Sequence, residues 1–250
     1  MRRDGRPVPR LFVDGPLALG AAVALADGQR HYLSRVMRLG QGDALRLFNG
    51  RDGEWLAEIA AEGARSVERL RPQAAGGDAW LLFAPPKKER LRFLVEKATE
   101  LGVTVLAPVA TERTEPPAAK AGKLREWAIE AAEQCGRLDV PECRAQTGLF
   151  EALSGWPEGR SLLFCDEAGG TPLAPAIAAA PGPAAFLVGP EGGFAPGERD
   201  RLVTIPWVVP VTLGAHILRV ETAAIAALAS WQALRAGDRL AGAARGAVFP

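Results

Sequence analysis

Cysteine is scarce in this chain. Cys135, Cys143 and Cys165 are the only three, and no CxxC pair occurs. An odd number without paired spacing argues against both a zinc site and a disulfide framework, and it suits a reducing compartment. No apolar run follows a basic start, and no apolar stretch reaches the ~18 residues that a membrane helix needs. A cytoplasmic protein with no membrane partner and no metal is therefore expected. Phosphate-cradling motifs are missing as well. Neither G-x-x-x-x-G-K-[ST] nor G-x-G-x-x-G is present, which argues against a P-loop and against a dinucleotide fold. The Pro85-Pro86 pair behind the first apolar run of the second half opposes the dinucleotide reading again. Internal repeats and low-complexity tracts are absent. A net charge of +1 means the molecule as a whole is no polycation.

What remains is a globular composition, 48% hydrophobic and 24% charged over 250 residues. That is enough for one large or two small domains with a real core. Charge is unevenly placed. Residues 1–74 carry twelve arginines and no lysine against nine acids, while the rest carries eighteen basic residues against twenty acids. A modestly basic first part suits a nucleic-acid-facing module and equally an ordinary solvated surface.

Along the first part, Arg2, Arg3, Arg6 and Arg10 precede a short strand candidate, Leu11–Val13. Residues 31–39 have helical spacing, with Leu33, Val36, Met37 and Leu39 towards one side. Ala44–Phe48 and Glu54–Ile59 read as strands, separated by the turn pairs Asn49-Gly50 and Asp52-Gly53. Closely spaced strands with glycine turns suggest a small β-barrel. Residues 69–78, with Pro72, Gly76 and Gly77, read as a linker, so domains of 1–74 and 75–250 are expected.

The second part alternates strands and helices. Strands are expected at 80–84, 103–109, 161–165, 185–188 and 207–211. Helices are expected at 88–101, 123–135 (with Cys135 on its buried side), 172–179 and from Val220 onward. This order specifies an α/β fold with a mostly parallel sheet covered on both faces. Two of its strands end in glycine turns. Ala185–Val188 breaks into Gly189-Pro190-Glu191-Gly192-Gly193-Phe194, and the run at 207–211 breaks into Thr212-Leu213-Gly214-Ala215-His216-Ile217-Leu218-Arg219. Strand ends of this kind are where open α/β sheets hold ligands. Glycine lets backbone approach a ligand closely.

GPEGGF followed by LGAHILRVETAA resembles the late motifs of the SPOUT methyltransferases. Within them it is most similar to the family that methylates N3 of a uridine in bacterial 16S ribosomal RNA. Five more segments match that family in order: RLFV at 10–13, the H-Y-L-x-R-V-x-R-L pattern from His31, KATELGV at 97–103, the segment 131–141, and Asp166-Glu167. The resemblance implies a PUA-like β-barrel domain that binds RNA through Arg10, Arg35 and Arg38. It also implies a SPOUT-type domain with a deep trefoil knot. S-adenosylmethionine would be held by Leu187, Gly189, Pro190, Glu191, Gly192, Leu213, Gly214, Ile217 and Leu218. For Glu191, stabilisation of the turn is an equal reading.

The implied reaction moves a methyl group from a sulfonium to uracil N3, on the Watson–Crick edge, so the base must be unpaired or flipped. Uracil N3 carries a weakly acidic hydrogen, and a cation that stabilises the anion would help. Arg219 and Arg137 are the candidate cations, and Glu191 and Glu221 are the candidate carboxylates. Glu221 also lies in the first turn of a helix, where a carboxylate often only caps or pairs. The resemblance implies a homodimer. The final helix, rich in Ala with Ile225, Leu228 and Trp231, could meet a second copy and make the site composite, with Arg137 reaching the partner's cofactor. The rival reading is an RNA-binding or ribosome-assembly protein without methyl transfer.

Overall fold

The computed structural model describes residues 8–74, 76–115, 119–180 and 182–243, with side chains to residue 235. Arg2, Arg3 and Arg6 lie outside them. Two compact units emerge, one of Met1–Ala75 with Ile129–Val140, the other of Gly76–Ala128 with Pro141–Pro250. The segment Ile129–Val140, expected in the second domain, thus packs within the first unit.

The first unit contains β1 (Arg10–Phe12), β2 (Ala22–Val23), α1 (Asp27–His31), a π-helical turn (Tyr32–Val36), β3 (Ala44–Phe48), β4 (Glu54–Ala60) and β5 (Gly63–Arg71). They form one five-stranded sheet in the order β1-β3-β4-β5-β2. β1 runs parallel to β3, and the other pairs are antiparallel. β5 occupies part of the stretch expected as a linker. One apolar cluster gathers Leu11, Leu33, Leu45, Leu47, Trp55 and their neighbours. Alternation along β1 sends Phe12 to the opposite side. There it meets Phe48 edge-on at 5.5 Å and packs with Ala132, Ile129, Leu138 and Val140.

The expected helix of 31–39 is shorter and wider than its spacing suggested. A π turn holds more residues than an α turn, so the 3.6 period fails across it. Leu33 and Leu39 are buried, but Val36 is 63% exposed. Arg38, just past the turn, has φ +53 and is the only non-glycine residue with positive φ among those described.

The second unit is built on a parallel sheet of β6 (Ala79–Phe83), β7 (Val105–Ala110), β8 (Glu142–Cys143), β9 (Thr147–Gly148), β10 (Ser161–Cys165), β11 (Thr171–Pro172), β12 (Ala184–Val188) and β13 (Val208–Thr212). Its order is β11-β13-β10-β12-β6-β7-β8, with β9 also pairing β7. Every pair is parallel. The helices are α2 (Lys88–Glu100), α3 (Ala121–Cys135), α4 (Leu149–Ala152), α5 (Leu173–Ala179), α6 (Pro196–Val203) and α7 (Val220–Ala243). α2 buries Leu91, Leu94, Val95 and Ala98, the face its periodicity indicates. Cys135, at the end of α3, is exposed rather than buried. Central strands are apolar on both sides, as a doubly covered sheet requires: all five residues of β12 are buried. Among the described residues no helix is long and apolar enough to cross a membrane.

Candidate functional site

In the second unit, β10 lies between β12 and β13, all parallel. Their carboxyl ends therefore open on one edge, where a cavity of about 120 Å³ lies. Each strand contributes its last residues and the loop beyond them. β10 supplies Cys165, Asp166 and Glu167; β12 supplies Val188, Gly189, Pro190, Gly193 and Phe194; β13 supplies Val211 and Thr212 and then the whole run from Leu213 to Leu218. Ala223 of α7 completes the lining.

The first glycine turn is braced from several directions. The Gly193 N–H donates to Pro190 O at 2.9 Å. Phe194 folds back edge-on against Phe164, with ring centroids 4.9 Å apart. A Cβ on Gly189 would lie 2.4 Å from that Phe194 ring, so only glycine permits the fold-back. Gly193 has φ +69, and a Cβ there would stand 2.0 Å from the Glu167 carboxylate. Arg113 donates to Gly192 O at 2.6 Å. Buried Glu198 accepts from the N–H groups of Ala195 and Glu112 at 3.0 and 2.9 Å, tying the turn's exit to the loop after β7.

The second loop has the opposite character. Gly214, Ala215, His216 and Ile217 are exposed, and Ile217 reaches 81%. The backbone groups of Ala215, His216 and Ile217 make no hydrogen bonds with other described residues. Free N–H and C=O groups beside Leu213, Ile217, Leu218 and Val188 suit a flat heteroaromatic ring, which needs edge hydrogen bonds and apolar faces. Covering an exposed Ile would itself contribute roughly 1.5–3 kcal/mol. Burial pushes the Cys165 thiol up to about 12, so it stays protonated and is no nucleophile.

Of the residues singled out from sequence for the cofactor, Gly189, Pro190, Leu213, Gly214, Ile217 and Leu218 line this cavity. Leu187 does not. Its side chain is wholly buried in the core between sheet and helices, because alternation along β12 turns it inward. Glu191 and Gly192 are also outside the lining. A Cβ on Gly192 would meet only Arg113, at 3.6 Å. Arg219 is exposed and forms no ion pair among the described residues. Glu221 is buried in the first turn of α7. One of its oxygens lies 3.8 Å from Arg90 Nε, and the other has no partner. The same Arg90 approaches Glu191 at 3.5 Å. Arg90 and Arg113 carry no signal in the sequence. Nothing local marks them, since each acts on a turn far along the chain.

Arg137 belongs to the first unit, where it makes two bonds to Asp139, at 2.9 and 3.0 Å. Arg10 corrects an expectation. It does not face solvent: its side chain is 9% exposed. Its guanidinium pairs with Glu54 at 2.5 Å, donates to the carbonyls of Ala132 and Arg137, and covers the Phe48 ring at 3.7 Å. Burial lowers its pKa. Burial pushes the Glu54 carboxyl up, but hydrogen bonds from Arg71 and Arg10 outweigh this and hold it below the usual range. Each of the three guanidinium nitrogens of Arg10 donates inside the protein, which turns the group away from a phosphate. Arg35 and Arg38 are exposed beside the π turn, with Tyr32 41% and Val36 63% exposed there. Among the described residues no cluster of His, Cys, Asp or Glu is placed to hold a metal.

Comparison with known proteins gives these residues a context. Residues 75–232 match a family described as RNA methyltransferase domain, and residues 25–68 match one described as RNA methyltransferase PUA domain. The ribosomal RNA small subunit methyltransferase E of Rickettsia conorii is 31% identical over 229 residues, covering 88% of this chain and 93% of its own. That of Synechocystis is 32% identical, covering 90% and 77%. The crystal structure of the Neisseria gonorrhoeae enzyme of that name, bound to S-adenosyl methionine, superposes with a TM-score of 0.83 at 31% identity, covering 91% of this chain and 98% of that one. A Legionella pneumophila methyltransferase in complex with the same cofactor gives 0.76 at 28% identity, covering 92% and 98%.

Proposed function

We propose that this chain, which belongs to the ribosomal RNA small subunit methyltransferase E family, transfers a methyl group from S-adenosylmethionine to N3 of a uridine in 16S ribosomal RNA, acting within the small subunit. The observation that carries the reading is the convergence of two glycine turns on one cavity, with the backbone groups of 215–217 left unpaired among the described residues. The cofactor supplies an electrophilic methyl group when bound. The protein's own part is to orient and to manage one proton.

In this reading Leu213, Ile217 and Leu218 cover the adenine faces, and the backbone of 214–217 reads its edges. Gly189 and Pro190 close the other side. Arg219 is free to stand over the target base, where its fork neutralises O2 or O4 as the N3 proton leaves. Glu221 is the carboxylate nearest the start of α7, with one unpartnered oxygen available to a donor. Arg137 takes part only by exchanging Asp139 for substrate, and in a homodimer it does so at the partner's site. Exposed Leu234 on α7, 45% accessible, supports a two-fold contact along that helix. The adjacency of β13, β10 and β12, with their loops lining one cavity, also suits a trefoil knot. Arg35 and Arg38 are the RNA contacts we retain for the first unit.

Calorimetry with S-adenosylmethionine separates this reading from an RNA-binding protein without methyl transfer. Micromolar binding is expected; no binding at millimolar ligand contradicts it. Mass spectrometry of ribosomal RNA from cells with and without the gene should then differ by one 3-methyluridine.

A further inference from the structure

Asp166 and Glu167 follow β10 side by side, yet the fold treats them differently. Asp166 is 5% exposed and fully engaged. It pairs with Arg199 at 2.8 Å and accepts the Ala168 N–H at 3.0 Å, which shapes the turn. Glu167 is exposed, lines the cavity, and has no hydrogen bond or ion pair among the described residues. Its place is nevertheless defined. Its carboxylate lies against the face of Gly193, with Oε1, Cδ and Oε2 at 2.0, 2.6 and 2.9 Å from where a Cβ would be. Any other residue at 193 would displace it. The turn thus keeps a gap at its centre, and an acceptor-only group occupies that gap facing the cavity.

We infer that Glu167 holds the ribose of the bound cofactor, its two oxygens accepting the 2′- and 3′-hydroxyl hydrogens. This rests on the S-adenosylmethionine reading above. The vicinal diol offers two adjacent donors to a carboxylate with two acceptor atoms, the pairing that acidic residues make with ribose in other nucleotide sites. The rival partner is the ligand's ammonium group. That group carries its own carboxylate close by, and no Arg or Lys is among the residues lining the cavity to neutralise a second negative charge beside Glu167. A neutral diol meets no such repulsion.

The test compares ligands with and without each feature, by calorimetry on the full-length chain. S-adenosylhomocysteine carries ribose and amino-acid end. 5′-Methylthioadenosine carries the ribose alone, and its 2′,3′-dideoxy analogue lacks the diol. The wild type should prefer 5′-methylthioadenosine over the dideoxy analogue by about tenfold or more, as expected for hydrogen bonds to a charged group. Glu167→Ala should bind the two equally, and Glu167→Gln should keep part of the preference. Matching thermal melts would exclude a folding defect, which is not expected at an exposed position. Two results overturn the proposal: a preference for the diol that survives in Glu167→Ala, or a variant that weakens S-adenosylhomocysteine while leaving 5′-methylthioadenosine untouched. If the wild type binds no adenosyl ligand at all, the underlying reading fails and this inference falls with it.

Discussion

The two units use polar residues in opposite ways. In the first, the Glu54 side chain is 2% exposed and has a guanidinium on each of its oxygens, one from buried Arg10 and one from half-exposed Arg71. Arg71 also donates to Gly136 O at 2.9 Å. In the second, the motif residues at the ends of β10, β12 and β13 leave polar groups unmatched: the backbone of 215–217, the Glu167 carboxylate, the Arg219 guanidinium and one oxygen of Glu221. A buried, fully paired charge contributes to structure, because removing either partner strands the other. An exposed, unmatched group facing a cavity is available to a ligand. The difference between a structural and a functional arginine is therefore whether its donors already have acceptors.

The largest effect that would break this comparison is at Arg10. Arg10→Ala leaves two carbonyls and half of Glu54 without a partner in a buried place, so it should lower stability by about 3–5 kcal/mol. Arg10→Lys should recover little, since one ammonium cannot match the fork. Urea denaturation measures both. A loss under about 1 kcal/mol would return Arg10 to the surface, among the candidate RNA contacts.

Next come the glycines of the turn. Gly193→Val must leave the left-handed region and displace Glu167, so cofactor affinity should fall about 30-fold or more while the fold persists. Gly192→Ala meets only an ordinary contact with Arg113, and its affinity should stay within about threefold. Equal losses at both positions would mean that the cavity is not where the ligand sits.

A smaller effect sharpens the first unit's role. Arg35→Ala with Arg38→Ala should weaken RNA binding and flatten its salt dependence by about 0.7 per lost phosphate contact on single-stranded RNA. Unchanged slope would make both arginines ordinary solvated side chains.

The smallest concerns pH. Burial raises the Glu133 carboxyl from its ordinary 4.5 to about 7, although the Phe12 N–H donates to it at 2.9 Å. Between those values the folded chain holds a proton that the unfolded chain has lost. The folded state thus binds more protons there, and stability should fall as pH rises through that window. Glu133→Gln should remove that slope, giving a melting temperature about 2–4 °C above wild type at about pH 8. A wild-type melting temperature that stays flat across that window would contradict it.

Much of the second unit was legible in the sequence because its signals are local. Apolar runs such as Ser161–Cys165 are bounded by turn residues, α2 shows its buried face by period, and the glycine turns mark the strand ends. What was not legible depends on distant partners. Arg10 finds Ala132 and Arg137, which lie 122 and 127 residues away, and nothing around residue 10 reveals them. Residues 129–135 complete a helix that begins in the other unit, so no composition shift flags where they pack. A fragment starting at residue 75 would strip Ile129–Val140 of Phe12 and Phe48 and should melt well below the whole chain. At the site, Leu187 stood out by its place beside the motif, but strand alternation turned it inward, while Glu167 stood two residues past a strand with no signal to separate it from Asp166.

The central claim is best tested by incubating purified small subunits, taken from cells lacking this gene, with the full-length chain and S-adenosylmethionine bearing a deuterated methyl group. Nucleoside mass spectrometry of the digested 16S RNA should find one equivalent of 3-(trideuteromethyl)uridine. Label in another nucleoside, or no label under conditions where the chain binds the cofactor, would contradict the account.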